Sequence, residues 1–137
     1  MIGILIVTHG NFGSELLKST ELIVGKQKGI MAFGLFPGDS VDKLKSDIVK
    51  AVELLDDGDG ILVFVDIFNG SAASTAIISS RDLKGETKIE YIAGINMPML
   101  LEALMVRESC DLSSLKKLCL EKGISGIKDL RKWFFLK

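Results

Sequence analysis

The only histidine of the 137-residue chain lies where it could act as a nucleophile. His9 follows an apolar, β-branched run of strand length, residues 2–7, and a helical pattern begins near Ser14. A second apolar run, residues 60–65, ends at Asp66. In an open α/β sheet, loops and helix N-termini converge at the carboxyl ends of the strands, where ligands bind. If these two strands are neighbours, an imidazole lies beside a carboxylate.

A carboxylate beside an imidazole gives the ring a defined chemistry. When the carboxylate accepts the proton of one ring nitrogen, the tautomer is fixed, the other nitrogen can attack, and developing positive charge is stabilised. An imidazole with its ordinary pKa of about 6.5 is mostly uncharged at neutral pH and therefore nucleophilic. We therefore predict that His9 and Asp66 are the catalytic residues.

A helix start at Gly70 and Ser71 follows the strand that ends at Asp66 and is predicted to lie at the same edge. The N–H groups of a helix N-terminus carry roughly half a positive charge, which suits the oxygens of a phosphoryl group. We expect Ser71 in the capping position of this helix, and we predict a phosphoryl-binding set of Thr8, Gly10, Gly70 and Ser71. Together these features indicate phosphohistidine chemistry.

Each of these signals also has a structural explanation, which stays open at this point. A strand-end histidine is often incidental, a strand-end aspartate is often a cap or a turn residue, and Gly-Ser helix starts are common. Competing chemistries have less support, because the sequence has no Walker loop, no Gly-x-Gly-x-x-Gly and no Gly-x-Ser-x-Gly. One histidine and scattered carboxylates give a zinc site few ligands, and we predict no metal and no cofactor.

The composition is that of a globular domain without a nucleic-acid signature. Seventeen basic and 18 acidic side chains leave a net charge of −1, which argues against binding of nucleic acid. Cys110 and Cys119 lack metal-binding spacing, so we predict free thiols of a reducing compartment. No stretch has the length of a signal-peptide apolar region or of a membrane span. We expect one domain, residues 1–137, in the cytoplasm.

The hydrophobic pattern predicts a three-layer α/β domain. Four strands alternate with helices, which favours a mainly parallel, doubly wound sheet with helices on both faces. Asp111 or Ser113 is expected to cap the last clear helix, and Gly123 is expected to end it. The predicted strands are residues 2–7, 30–36, 60–65 and 88–93, and the predicted helices begin near Ser14, Val41, Ser71 and Met97.

Apolar side chains that flank strand ends at the His9 edge are predicted to form a rim that docks partner proteins. Of these, Phe68 and Met97 are the two that we expect to be exposed, while burial beneath the loops stays an alternative for each residue. The tail residues 133–136 are too apolar to leave in water, so they need either a second subunit or the domain's own helices. The rim consists of Phe12, Phe36, Pro37, Ile67, Phe68, Met97 and Met99.

Four segments resemble the enzyme IIA domain of the mannose-type (mannose/fructose/sorbose) sugar phosphotransferase system. They occur in the family's order with similar spacing and together span most of the chain. At residues 68–72, where mannose-type members commonly read Trp-Gly-Gly-Ser-Pro, this chain has Phe-Asn-Gly-Ser-Ala, so the sugar is not indicated. The segments are Ile6 to Gly10, Phe36 to Asp39, Val65-Asp66 with Gly70-Ser71, and Ala93 to Leu100.

The resemblance implies a protein-histidine phosphotransferase that carries a phosphoryl group. His9 would accept it from the general carrier HPr and pass it to a histidine of the cognate IIB protein, with Asp66 and Ser71 at the positions of the family's carboxylate and serine. A sheet of order 2-1-3-4 is implied, with a homodimer that exchanges an antiparallel C-terminal strand. An indirect association with the membrane IIC/IID permease is implied as well. No IIB domain follows in this sequence, so a separate IIB polypeptide is expected.

Two other functions stay open. The phosphocarrier subunit of a phosphoenolpyruvate-dependent dihydroxyacetone kinase shares the fold, although Thr8-His9-Gly10 and Asn96-Met97-Pro98 argue against it. The second is a non-enzymatic regulator that binds a partner without turnover, and phosphorylation of His9 would argue against that. The transported sugar stays unidentified, since no sugar contacts this subunit.

Overall fold

Strands and helices alternate along the chain around one sheet. The computed structural model of the protein describes residues 1–135. None of the helices in this part is long and apolar enough to cross a membrane. The strands are β1 (Gly3–His9), β2 (Ile30–Leu35), β3 (Ile61–Val65) and β4 (Ile89–Ala93). The helices are α1 (Phe12–Val24), α2 (Val41–Leu55), α3 (Ser71–Ser79), α4 (Met97–Val106), α5 (Leu112–Ser125) and α6 (Leu130–Phe134), with a 3-10 turn at Ser80–Asp82.

The sheet has the predicted order β2-β1-β3-β4, and all neighbouring strands are parallel. Val7 of β1 lies opposite Phe33 of β2 on one side and Val65 of β3 on the other. Because the chain leaves β1 toward β2 and then crosses to β3 on the far side, the direction of strand addition reverses at β1. His9 therefore lies at the switch point of the sheet, where α/β proteins bind their ligands.

Strand residues alternate between two apolar cores, as a sheet covered on both faces requires. On one face, Ile6 and Phe64 pack with Leu100 of α4 and Leu115 of α5. The second face packs against α2 and α3. All five residues of β3 are buried, as the continuous apolar run predicted. The second core includes Leu5, Val7, Val63, Val65, Ile48, Val52, Ala72 and Ala76.

Short polar side chains fix several helix starts. The Asp111 carboxylate accepts a hydrogen bond from the Ser114 N–H at 2.8 Å, so the expected cap of α5 is confirmed.

Two helices begin at residues other than those predicted. Helix α1 begins at Phe12, before the predicted start at Ser14. Helix α3 has Gly70 at its cap and Ser71 as its first residue, so the expectation that Ser71 is the cap was wrong.

Gly123 does not end α5, which continues to Ser125, so that prediction was also wrong. A Cβ atom at residue 123 would lie 2.5 Å from the Met99 Cε, and glycine therefore lets α5 pack closely against the start of α4. The Asn96 side-chain amide donates to the Gly123 carbonyl at 3.0 Å across the same contact. The glycine is a packing residue at a helix crossing.

The C-terminal segment forms a short helix where the resemblance implies an exchanged strand. The Asp129 carboxylate accepts a hydrogen bond from the Lys132 N–H at the start of α6, and this local cap favours the helix. A strand would instead need a partner edge to satisfy its backbone. No strand follows β4 in residues 1–135, and Leu136 lies outside the described residues.

Both cysteines are free thiols, as predicted. Cys119 is buried in the core between α5 and its neighbours. Burial raises the pKa of its thiol to about 12, with a smaller contribution from the Glu102 carboxylate. The thiol therefore stays protonated at neutral pH and behaves as a small apolar side chain.

Candidate active site

His9 is the last residue of β1, and its side chain is exposed at the carboxyl edge of the sheet. The preceding residues of the strand are buried, whereas the His9 side chain is 47% exposed. The chain turns after it at Gly10, whose φ of 53° lies in the left-handed region that favours glycine. The Gly10 N–H donates to the Leu35 carbonyl of β2 at 2.9 Å. The imidazole is therefore carried on a fixed backbone at an open surface.

Asp66 follows β3, and its carboxylate holds His9 by two contacts. Because β1 and β3 are parallel with Val7 opposite Val65, the end of β1 at His9 lies beside the residues that follow β3. One carboxylate oxygen, Asp66 Oδ2, accepts the His9 backbone N–H at 2.8 Å and lies 2.8 Å from His9 Nδ1. The other oxygen accepts the Ile67 N–H at 3.0 Å. The structure thus brings together the two residues that the sequence analysis paired.

The charge of Asp66 decides which ring nitrogen of His9 is free. Burial acts to raise the pKa of the Asp66 carboxyl, but hydrogen bonds from the His9 N–H, the His9 ring and the Ile67 N–H outweigh it and hold this pKa below 3.8. Asp66 is therefore ionised at neutral pH, and an ionised carboxylate only accepts hydrogen bonds. Nδ1 must carry the proton in this contact, which leaves the lone pair of the neutral ring on Nε2.

The Nε2 side of the ring lies beside the start of α3. Ser71 Oγ is 3.4 Å from His9 Nε2, a long contact. A Cβ atom at Gly70 would lie 3.0 Å from His9 Cε1, so glycine is what lets the imidazole approach the helix this closely. No side chain caps α3, and the first N–H groups of a helix have no partner within the helix. A phosphoryl group on Nε2 would meet these donors.

The polar groups of Thr8 and Gly10 that could face a ligand form hydrogen bonds within the protein instead. The Thr8 side chain is fully buried, and its hydroxyl accepts the Gly13 N–H at 2.8 Å. The Gly10 N–H is engaged with Leu35. The structure therefore leaves Gly70 and Ser71, and not Thr8 or Gly10, as candidate contacts for a phosphoryl group. Sequence reasoning could not separate the four, because the difference lies in the path of the backbone.

The predicted docking rim is present in part. Phe68 is 81% exposed, and Phe12, Phe36 and Ile67 are also exposed. Met97 is half-buried and not exposed as expected. Met99 is buried, because it packs into the core and against α5 at Gly123. The exposed part of the rim is therefore mostly aromatic, with Pro37 and Ile67 beside the phenylalanines, and comes from the segments that follow β1, β2 and β3.

The site is an open surface. A cleft of about 490 Å³, lined by Asp59, Lys88 and Asp111 among others, lies at the opposite, amino edge of the sheet. Within residues 1–135, no three His, Cys, Asp or Glu side chains group closely enough to hold a metal ion. His9 therefore lies on an accessible surface, with its side chain 47% exposed.

Two glycines that support the site were missed from the sequence. A Cβ atom at Gly34 would overlap the Gly10 carbonyl oxygen, so only glycine lets β2 pass this close to the turn after His9. A Cβ atom at Gly13 would lie 2.6 Å from Ile6 Cγ2. A glycine inside an apolar strand pattern is the signal that could have identified Gly34, because it marks a close approach of two backbones.

Comparisons with known proteins bear on this arrangement. The family described as "PTS system fructose IIA component" matches residues 3–119, a range that contains His9, Asp66, Gly70 and Ser71. The chain belongs to the mannose/fructose-type family of phosphotransferase system IIA components. The suspected resemblance is therefore confirmed.

Two curated relatives show the extent of the similarity. This IIA component is 34% identical over 131 residues to the "PTS system mannose-specific EIIAB component" of Escherichia coli (strain K12), covering 95% of this chain and 40% of the relative. It thus spans about two fifths of the length of the mannose-specific relatives. It is 30% identical over 115 residues to the "PTS system fructose-specific EIIA component" of Bacillus subtilis (strain 168), covering 84% of this chain and 77% of the relative.

Solved structures share the fold. The crystal structure of phosphotransferase system component EIIA from Streptococcus agalactiae superimposes with a TM-score of 0.87 at 29% identity, covering 96% of this chain and 99% of that one. A mannose/sorbose-specific IIA subunit from Enterococcus faecalis gives a TM-score of 0.80 at 20% identity, with 93% of each chain covered. The α/β architecture of this IIA component is therefore that of its family.

We expect Asp66→Asn to lower the free energy of unfolding at neutral pH, by about 1 kcal/mol, because the charge-assisted hydrogen bonds from the His9 N–H, the His9 ring and the Ile67 N–H are weakened. The pKa of Asp66 is lower in the folded protein, so its stabilising contribution is present above the unfolded pKa and is lost as pH falls through the folded value. The difference between wild type and variant should therefore shrink from about pH 7 to about pH 3. Urea unfolding, monitored by circular dichroism at each pH, measures this difference.

Glu53→Gln, an exposed position on α2, is the matched control. It removes one carboxylate without touching the His9 edge. The expectation would be contradicted if the loss of unfolding free energy in Asp66→Asn stayed constant across this pH range, or if it were no larger than the loss in Glu53→Gln.

Proposed function

We propose that this IIA component is a phosphohistidine carrier. His9 accepts a phosphoryl group from phospho-HPr and passes it to a histidine of the cognate IIB protein, within a system that takes up and phosphorylates a sugar. The proposal rests above all on the 2.8 Å contact between His9 Nδ1 and Asp66 Oδ2, which leaves Nε2 of an exposed ring as the nucleophile. Residues 1–137 act as one phosphocarrier domain in this proposal.

The transfer is a direct exchange between two imidazoles. The lone pair on His9 Nε2 forms a new N–P bond as the donor's P–N bond breaks, and the electron pair of the broken bond returns to the donor histidine. The Nδ1 proton stays on His9, hydrogen-bonded to Asp66, whose charge stabilises the positive charge that develops on the ring. Because donor and acceptor are chemically alike, alignment and fixed charges supply most of what the protein must add.

The start of α3 stabilises the group that is transferred. Ser71 Oγ lies 3.4 Å from His9 Nε2 in the free protein. An oxygen of a phosphoryl group on Nε2 would accept a hydrogen bond from the Ser71 hydroxyl. The unpaired N–H groups of the first turn of α3 add the favourable end of the helix dipole. Gly70 keeps this end of the helix within reach of the ring. No cofactor or metal enters the proposed step.

We also propose that this step takes place in the cytoplasm, beside a membrane permease with IIC and IID components. The relatives are named for mannose and for fructose, so we propose a sugar of this class without choosing between them.

Incubation with phosphoenolpyruvate, enzyme I and HPr should add one acid-labile phosphoryl group to the chain, measured by intact mass. His9→Gln should abolish the adduct, because the nucleophilic Nε2 is lost. Ser71→Ala should slow its formation by about 10-fold, since one donor to the phosphoryl oxygens is removed.

Ser74→Ala is the control for Ser71→Ala, because Ser74 is also an exposed serine on α3 but its hydroxyl bonds the Gly70 carbonyl. It should leave the rate unchanged. A wild-type chain that binds phospho-HPr but gains no mass would contradict the carrier function and favour a regulator without turnover.

Phe68→Ala should weaken docking of both protein partners without changing the fold. The ring is 81% exposed next to Asp66 in sequence, and truncating an interface aromatic commonly costs more than 1 kcal/mol of binding, or roughly 5- to 10-fold in affinity. We expect the effect in the KM for phospho-HPr, with kcat largely preserved.

Leu54→Ala is the matched control, since Leu54 is 78% exposed. It lies near the end of α2, beside Leu55, whose Cβ adjoins Gly3 at the opposite edge of the sheet. An equal rise in KM for the two variants would contradict a docking surface at Phe68.

The homodimer implied by the resemblance is proposed to use the C-terminal segment. Ile127, Leu130, Phe134 and Phe135 are exposed there, although apolar. Gel filtration should show the full chain as a dimer of 14.9 kDa subunits and the chain without residues 130–137 as a monomer. Leu54→Ser should remain dimeric. A full chain that elutes as a monomer, or a truncated one that stays dimeric, would contradict this assembly.

A further inference from the structure

Thr8 lies next to His9 but in a different environment. Its side chain has no exposed surface, whereas that of His9 is half-exposed. The Thr8 hydroxyl makes two contacts inside the junction between β1 and α1. It accepts the Gly13 N–H at 2.8 Å, and it donates to the His9 carbonyl oxygen at 3.3 Å.

Helix α1 depends on this hydroxyl for its N-terminal cap. The first N–H groups of a helix need partners from outside the helix, and the residue in the cap position, Asn11, makes no side-chain capping bond. Thr8 supplies an acceptor from the preceding strand instead. Gly13 makes the contact possible, because a Cβ atom there would lie 3.0 Å from Thr8 Oγ1 and 2.6 Å from Ile6 Cγ2.

The backbone of His9 is consequently held from both sides. Its N–H donates to Asp66 Oδ2, and its carbonyl accepts the Thr8 hydroxyl. The Thr8–Gly13 hydrogen bond closes the turn between β1 and α1, and the Gly10 N–H ties this turn to Leu35 of β2. Without the Thr8 hydroxyl, α1 would lose this cap and the His9 carbonyl would lose its hydrogen bond from Thr8.

We propose that Thr8 is a positioning residue for His9. Its hydroxyl holds the His9 peptide and the start of α1 so that the imidazole stays aligned on Asp66, and it does not touch the phosphoryl group. This deepens the proposed carrier function and rests on it for its kinetic part. Misplacement of a reacting group by about 1 Å can reduce a rate by about 100-fold, so a buried group that fixes the His9 backbone has a direct kinetic consequence.

The test compares variants of two buried threonines. Thr8→Val keeps the shape but removes the hydroxyl, and Thr8→Ser keeps the hydroxyl. Thr20→Val is the matched control, because Thr20 is also fully buried, lies in α1, and donates to the Leu16 carbonyl at 2.7 Å. Transfer from phospho-HPr to the full chain gives kcat and KM, and urea unfolding gives the stability of each variant.

We expect Thr8→Val to lower kcat by between about 10- and 100-fold with little change in KM. Thr8→Ser should restore most of the rate, and Thr20→Val should transfer normally although it too loses a buried hydrogen bond. Should Thr8→Val fail to fold, the Thr8→Ser and Thr8→Ala pair makes the same comparison. A normal kcat without the hydroxyl, or an equal loss in Thr20→Val, would overturn the proposal.

A second measurement separates this proposal from the carrier function. Nitrogen-15 NMR of the imidazole reports how far the proton is confined to Nδ1, and it needs no phosphoryl donor. Thr8→Val should shift the ring signals toward an average of the two tautomers, while Thr20→Val should leave them as in wild type. If wild type takes up no phosphoryl group, the carrier function fails but this comparison still tests Thr8; unchanged signals in Thr8→Val would overturn the positioning role.

Discussion

One oxygen atom, Asp66 Oδ2, sets the geometry of the His9 edge. It accepts a hydrogen bond from the backbone N–H of His9 and also contacts the ring Nδ1 of His9, both at 2.8 Å. A contact to the backbone alone would leave the side chain free to rotate, and a contact to the ring alone would not tie the carboxylate to the strand. Because the two bonds share an acceptor, the backbone and the imidazole are fixed together, and the charge that fixes them also chooses the tautomer.

This arrangement requires close approach of three strands and two helices, and small residues provide it. Gly34 lets β2 pass the turn at Gly10, Gly13 lets α1 press against β1, and Gly70 lets α3 approach the imidazole. A methyl group at residue 34 would meet backbone, and one at residue 13 or 70 would meet packed side-chain atoms, so each substitution would push the elements apart. The buried strand residues beneath them form a rigid base. The exposed ring is thus supported by a dry, close-packed sheet.

Much of the fold could be read from the sequence, because β3 and most of β1 are continuous apolar runs and α2 has a clear helical period. The pairing of His9 with Asp66 followed from two strand ends and the parallel order. Thr8 and Gly10 were predicted to contact the ligand, whereas the Thr8 hydroxyl and the Gly10 N–H already have partners within the protein, which a residue type alone does not reveal. Gly123 and Met99 were misread for a similar reason: helix stops and helix crossings both use glycine, and the α4–α5 contact decides between them.

The single free nitrogen also constrains how the proposed carrier works with its partners. Donor and acceptor must both reach Nε2, so both need the same face of the protein and must bind in turn. If the carrier bound either partner tightly, dissociation of that partner would limit the rate of turnover. Separate exposed aromatic side chains around an open histidine suit small, short-lived interfaces better than a deep pocket would. The open shape of the site therefore suits passage of the phosphoryl group in the proposed carrier better than its retention.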